Sequence, residues 1–113
     1  MKVYISLPVT SRDEPTKHEK IVAAKERVEF LKQYLDNFVH FGDNPEFISV
    51  FDLQYSEDLT EAVVLGRCVT AVLDCDAIFM DLGWQHSNGC TIEYIAARTY
   101  QKRIFNMDEI QEL

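Results

Sequence analysis

Basic residues are scarce in this chain. Eleven Lys and Arg stand against 19 Asp and Glu, giving a formal charge of −8 at pH 7. That deficit excludes a nucleic-acid polymer or an anionic membrane surface as partner, because both require a basic face. A small anionic ligand stays open, since a few backbone amides suffice to hold one. Cysteine is scarce too. Cys68, Cys75 and Cys90 are an odd number without metal-ligand spacing, which argues against a disulfide framework and for a reduced, cytoplasmic setting. No metal and no cofactor are expected. No apolar run approaches the roughly 20 residues of a membrane span. Repeats, low-complexity tracts and linkers are absent from the sequence. Met1-Lys2-Val3-Tyr4-Ile5-Ser6 enters a strand-like segment without an apolar leader or a small-residue cleavage site, so no signal peptide is expected.

What is present is the composition of a globular domain. The 113 residues are 47% hydrophobic and 27% charged, a length that predicts one domain over residues 1–113. Such a domain buries about two-thirds of its unfolded surface and needs no staple. Short apolar runs alternate with helix-period stretches. Val3 to Leu7 reads as a strand and Pro8 to Pro15 as a polar loop. Thr16-Lys17-His18-Glu19 fits a capping box, opening a helix from about Thr16 to Val39. Ile21, Ala24, Val28, Leu31, Leu35 and Phe38 form its apolar stripe. Phe41 to Pro45 stops it.

Phe47 to Phe51 is the second predicted strand. Ser56 is the predicted N-cap of a second helix, with stripe Leu59, Ala62, Val63, Gly66, Val69 and Leu73. Ala77 to Leu82 is a third strand, apolar on both faces as in a buried parallel sheet. A loop from Gly83 to Asn88, a helix from Gly89 to Gln101, a short strand Arg103 to Phe105 and a helical tail complete the chain. This alternation predicts an α/β fold: an open, mainly parallel sheet of four to five strands with helices on both faces, a flavodoxin-like three-layer sandwich. Ligands in such folds sit outside the carboxyl ends of the strands, where strand order reverses. Leu7 to Arg12, Phe51 to Tyr55, Asp81 to Asn88 and the start of the third helix are thereby placed at the site.

Ser87-Asn88-Gly89 opens that helix and presents free amides to an anion. The simpler reading of the same turn is an N-cap. Glu93 shares a helix face with Gly89, Ala96 and Ala97, small residues that let the face pack closely. A carboxylate there can serve as nucleophile or general base, or it can be held by the helix dipole at the helix edge. The expectation is that the helix start outweighs burial and keeps Glu93 ionised. Trp84 either stacks on a base or anchors its loop. His86 reads as solvent-facing, Asp76 as structural, and Cys75 and Cys90 as packing residues.

Lys2-Val3-Tyr4-Ile5-Ser6-x-Pro8-Val9-Thr10, together with Cys75-Asp76-Ala77-Ile78 and Gly83-Trp84-x-x-Ser87-x-Gly89-Cys90-x-x-Glu93-x-x-x-Ala97, resembles the DUF4406 family. That family is itself similar to the nucleoside 2-deoxyribosyltransferase superfamily, which includes the 2′-deoxynucleoside 5′-phosphate N-hydrolases. The resemblance implies cleavage of an N-glycosidic bond, or deoxyribosyl transfer, on a deoxynucleoside or its 5′-monophosphate. It places the nucleophile at Glu93. Ser87 falls where the monophosphate hydrolases carry a serine at the 5′ end of the substrate, and Tyr4 where a tyrosine lines the sugar site. Beside what the resemblance implies, Gly89 and Trp84 are candidate substrate contacts, and Asp81, at the end of the third strand, either stands in as a second acid or caps its loop. Homodimers or larger homo-oligomers are implied as well.

Two positions depart from that pattern. Cys68 stands where the superfamily often has a catalytic aspartate, and Leu7 where a tight glycine is expected. A thiol does not replace a carboxylate as acid or acceptor. These departures support the alternative of a non-catalytic domain that binds a nucleotide or sugar phosphate. A phosphoacceptor receiver domain is a poorer match, because Asp13 and Glu14 lie too far past the first strand and no fifth strand carries a lysine. A flavin site lacks its phosphate cradle in the first loop.

Overall fold

Val3, Tyr4 and Ile5 alternate in direction along the first strand, yet all three are buried. Both faces of the sheet are therefore covered. The computed structural model describes residues 1–9 and 17–112. Its strands are β1 (Lys2–Ser6), β2 (Glu46–Ile48), β3 (Ala77–Met80) and β4 (Arg103–Asn106). All pair in parallel, in the order β2-β1-β3-β4. The helices are α1 (Lys17–Phe38), α2 (Glu61–Asp74), α3 (Asn88–Thr99) and the short α4 (Met107–Glu112).

The expected open α/β sheet with helices on both faces is formed, with four strands among the described residues. Val3, Ile5, Ala77 and Phe79 point to one face and pack with Ala24, Val28, Leu31 and Leu35 of α1. Tyr4, Ile78 and Met80 point to the other, against Cys68, Ala71 and Val72 of α2 and Cys90 and Ala97 of α3. Each large apolar side chain fully buried this way contributes about 1.5–3 kcal/mol. β1 connects through α1 to β2 on one side and pairs with β3 on the other, so strand order reverses between β1 and β3.

The α1 stripe is as expected from Ile21 to Leu35, but Phe38 is 75% exposed. The helix ends there, beyond the sheet, and Phe38 packs on Tyr34 at 5.3 Å instead. Gly42, at φ +80, then turns the chain, and Phe41 buries against Phe47 and Phe105. The proposed capping box rests on Thr16, which lies outside the described residues, as does the loop after Val9 with Asp13 and Glu14.

Two other boundaries differ from the sequence pattern. The second strand is only Glu46–Ile48; Val50 to Asp52 form a 3-10 turn. Ser49 causes this. Its Oγ accepts the Phe51 amide at 3.2 Å, while the Asp52 carboxylate accepts the Ser49 amide at 2.8 Å. That reciprocal cap curls the chain despite its apolar, strand-like composition. The second helix starts at Thr60, whose Oγ1 accepts the Val63 amide, and not at Ser56, which closes a smaller turn by accepting the Asp58 amide. Its buried face is Cys68, Ala71 and Val72; Ala62, Val63 and Gly66 of the expected stripe are exposed. α2 is apolar on more than one side, and the neighbouring Tyr4 and α3 decide which side is covered.

Candidate functional site

β1 lifts Tyr4 and Ser6 to the same side of the sheet, two residues apart. α3, which follows β3, brings Glu93 down onto them. Ser6 Oγ donates to Glu93 Oε1 at 3.0 Å. The Tyr4 hydroxyl lies beside both the Glu93 carboxyl and the Cys68 thiol. Glu93 Oε2 is buried and has no hydrogen-bond partner among the described residues. An unsatisfied buried carboxyl oxygen is costly, and it marks a place for a donor from outside the chain.

That oxygen belongs to the floor of a pit of about 70 Å³, lined by Tyr4, Leu7, Cys68, Ser87, Gly89 and Cys90 around Glu93. The pit opens into an outer hollow of about 400 Å³, with which it shares Val9, Val50, Glu61, Val64 and Ser87. Tyr55, Lys17, His86 and Asn88 complete the outer walls. The pit alone holds no more than one small group, whereas the outer hollow has the size of an ordinary small-molecule site. A wider groove of about 610 Å³ runs along α2 past Ile48, Arg67 and Asp74, far from Glu93. It contains no buried, unpartnered polar side chain among the described residues, so size does not select the site.

Burial pushes the Glu93 carboxyl up to about 7, against the neighbouring Tyr4 hydroxyl and the Ser6 hydrogen bond, which favour its charged form. The expectation that the helix start would outweigh burial is corrected here: the carboxyl titrates near neutral pH and is present in both forms there. Glu93 is one turn inside α3 and only 5% exposed, so loss of water outweighs the dipole. Burial also raises Tyr4 well above its ordinary value and the Cys68 thiol to about 11. Cys68 is thus a neutral thiol in the pit at pH 7.

Ser87 caps α3, its Oγ accepting the Cys90 amide at 3.3 Å. The amides of Asn88 and Gly89, in the first turn, have no intrahelical partner. A Cβ at Gly89 would meet nothing nearer than Ser87 Oγ at 4.0 Å, so the fold does not require glycine there.

Tyr4, Ser87, Gly89 and Glu93 therefore come together. Asp81 and Trp84 do not join them. Asp81, at the end of β3, is buried on the α1 side, where Arg27 Nε and Nη2 donate to its two oxygens at 2.9 and 2.8 Å. Trp84 packs on Tyr94 of α3 with ring centroids 4.6 Å apart and planes tilted by 30°, anchoring its loop. Gly83, at φ +80, provides the turn that leads into that loop. Asp76 is structural: its Oδ2 accepts the Lys2 amide at 2.7 Å.

Sequence reasoning missed Ser6 and Arg27. Ser6 had a signal, since it is two residues beyond Tyr4 and shares its face. Arg27 had none, because only the packing of α1 on the sheet brings it to Asp81. Among the described residues, no group of three or more His, Cys, Asp or Glu side chains is placed to hold a metal ion.

Tyr4, Ser87, Gly89, Cys90 and Glu93 of the pit belong to the segments that carried the sequence resemblance, while α2 adds Glu61, Val64, Leu65 and Cys68. The family described as a domain of unknown function, DUF4406, matches residues 1–106. The chain belongs to the DUF4406 family. No curated protein matches it. The match spans all four strands and α1 to α3, so every residue of this DUF4406 pit lies within the family's boundaries. Among the described residues of this DUF4406 chain, no helix is long and apolar enough to cross a membrane, and Cys68, Cys75 and Cys90 are all free and buried.

Proposed function

We propose that this DUF4406 protein cleaves the N-glycosidic bond of a deoxynucleoside or its 5′-monophosphate, by hydrolysis or by deoxyribosyl transfer, with Glu93 as nucleophile. The observation that carries this reading is Glu93 Oε2, buried and unpartnered at the floor of a pit at the carboxyl edge of the sheet. Ionised Glu93 attacks the anomeric carbon, forming a C–O bond as the C–N bond breaks. The base leaves with the bonding pair and takes a proton from water. Water or an acceptor base then displaces the sugar and regenerates the carboxylate. Ser6 holds Oε1 and so turns Oε2 toward the pit. Ser87 and the amides of Asn88 and Gly89 suit a 5′-phosphate, since they offer donors and no negative charge.

The similarity of DUF4406 to the nucleoside 2-deoxyribosyltransferase superfamily belongs to this proposal, as do a cytoplasmic setting and a homo-oligomer. Exposed Val63 on α2 and Ile92 and Ile95 on α3 supply apolar surface for self-association, which sedimentation velocity measures.

The test is incubation with a panel of deoxynucleosides and their 5′-monophosphates, with chromatographic detection of free base. Release by the wild type and none by Glu93→Gln is expected. Silence of both the wild type and Cys68→Asp on the whole panel overturns the reading. One observation favours a second reading, a binding domain without turnover: the neutral Cys68 thiol occupies the pit where the resemblance places an acid. Cys68→Asp separates the two. A gain in base release means catalysis limited by the missing acid, and silence of both wild type and variant leaves binding alone.

A further inference from the structure

Asp81 is a buried carboxylate that the proposed chemistry does not use. It lies on the opposite side of the sheet from the Glu93 pit, at the edge of a separate hollow of about 490 Å³. Lys20, Ala23, Ala24 and Arg27 of α1 line this hollow, facing Asp81 and Leu82 beyond β3. Lys20 and Arg27 are two helical turns apart on one face of α1, about 10 Å along its axis. Between them Ala23 and Ala24 form a floor without projecting side chains. Among the described residues, two cations, Lys20 and Arg27, and one carboxylate, Asp81, therefore line this hollow, leaving it locally cationic in a protein whose net charge is −8.

Arg27 is held in place from two directions. Asp81 takes its Nε and Nη2 protons in a bidentate fork, and the Phe30 ring lies 5.1 Å from the guanidinium carbon. Two of its five N–H groups are so occupied, and the side chain is still 34% exposed. A guanidinium fixed in this way has lost its rotational freedom before any ligand arrives, which lowers the cost of binding. A pair serving only to tie α1 to β3 would account for Arg27 and Asp81, but not for Lys20 at the other end of a bare floor.

We propose that this hollow is a second ligand site, for a phosphate group, with Arg27 and Lys20 as its ligand contacts and Asp81 as the residue that positions Arg27. The site stands apart from the proposed glycosidic chemistry. Leu7 and Val9 form a wall common to the hollow and the Glu93 pit, so the two sites are back to back and share no charged residue.

The experiment is a ¹H–¹⁵N NMR titration of the full chain with inorganic phosphate, with phenyl phosphate, and with chloride at matched ionic strength. Saturable shifts at the amides of Ala23, Ala24 and Leu82 are expected with both phosphates and not with chloride. Phenyl phosphate binding more tightly than inorganic phosphate assigns the site to a phosphate ester; the reverse order assigns it to the free ion. Lys20→Ala should weaken affinity about tenfold, the loss of one charge-assisted contact. Ala23→Glu should abolish binding. Both variants leave the Arg27–Asp81 pair intact, so neither risks the fold. Ser87→Ala should leave the phosphate shifts at Ala23, Ala24 and Leu82 unchanged, because Ser87 lies outside this hollow, and that separates the site from the phosphate contacts proposed at the start of α3. The proposal is overturned by equal shifts in chloride, by shifts that survive both Lys20→Ala and Ala23→Glu, or by shifts confined to Ser87, Asn88 and Gly89.

Discussion

Ser6 on β1 donates its hydroxyl proton to Glu93 on α3 at 3.0 Å, across 87 positions of sequence. One oxygen of the carboxyl is thereby fixed to the sheet and the other, Oε2, is left buried without a partner. The pair converts a helix glutamate into the floor of a pit; two measurable consequences follow from it, and two more from Asp81 and the start of α3.

The first is a pH dependence of stability. Glu93 titrates at about 7 in the folded protein, raised by burial from an ordinary value near 4.5. A carboxyl raised on folding binds its proton more tightly in the native state. Its contribution is fully present below pH of about 4.5 and is lost as pH rises through about 7. The loss amounts to about 3 kcal/mol, at about 1.4 kcal/mol per pKa unit. Glu93→Gln removes this term, so it should raise the melting temperature at pH 8 by several degrees more than at pH 4.5. Equal effects of the variant at both pH values, by thermal melts, would falsify a buried, proton-holding Glu93.

Ser6→Ala tests the hydrogen bond itself. The hydroxyl favours the charged carboxylate, so its removal should move Glu93 further upward. Stability at pH 8 should fall by about 1–3 kcal/mol, the range for a hydrogen bond to a charged group, and by less at pH 4.5. Base release, if present, should rise with pH through about 7 in the wild type and at a higher pH in the variant. Chemical denaturation at the two pH values, alongside the rate profile, reads this directly.

Asp81→Asn removes the charge that Arg27 holds with two bonds. A loss of about 2 kcal/mol is expected, below the full cost of breaking a buried pair because Arg27 still reaches water. Because Asp81 lies outside the pit, base release per folded molecule should be unchanged. A large fall in turnover without loss of stability would return Asp81 to the list of catalytic candidates.

Gly89→Ala and Ser87→Ala separate fold from function at the start of α3. A Cβ at 89 meets only Ser87 Oγ, at 4.0 Å, and improves helix propensity, so stability should rise by up to about 1 kcal/mol. Ser87→Ala removes the cap and should cost about 1 kcal/mol. If the pit binds substrate over this turn, both variants should weaken a monophosphate more than the matching nucleoside in calorimetric titrations. Equal weakening of the two would remove the case for a phosphate at α3.

The alternation of apolar runs with helical periods was enough to read the α/β class, the α1 stripe from Ile21 to Leu35 and the start of α3 at Ser87 to Gly89 as part of the site, whereas Tyr4 was marked by the family resemblance and Ser6 not at all. Such features are local: a strand buried on both faces, an amphipathic helix and a serine cap each have a pattern within a few residues. Where the second strand stops was not legible, because Val50 and Phe51 look like strand until the Ser49–Asp52 cap is seen to form. The covered face of α2 was not legible either, since its apolar residues surround the helix and only Tyr4 and α3 choose among them. The same limit governs the site. Sequence alone marked Glu93 as a carboxyl on a small-residue face. How readily it ionises depended on how much water packing against β1 and α2 removed, and tertiary structure raised its titration to about 7, where both forms are present at neutral pH. It also decided Asp81, which a strand-end position made a plausible acid and which the packing of α1 instead gave to Arg27. Charge states and long-range pairs depend on distances between segments remote in sequence, and only the folded packing sets those distances.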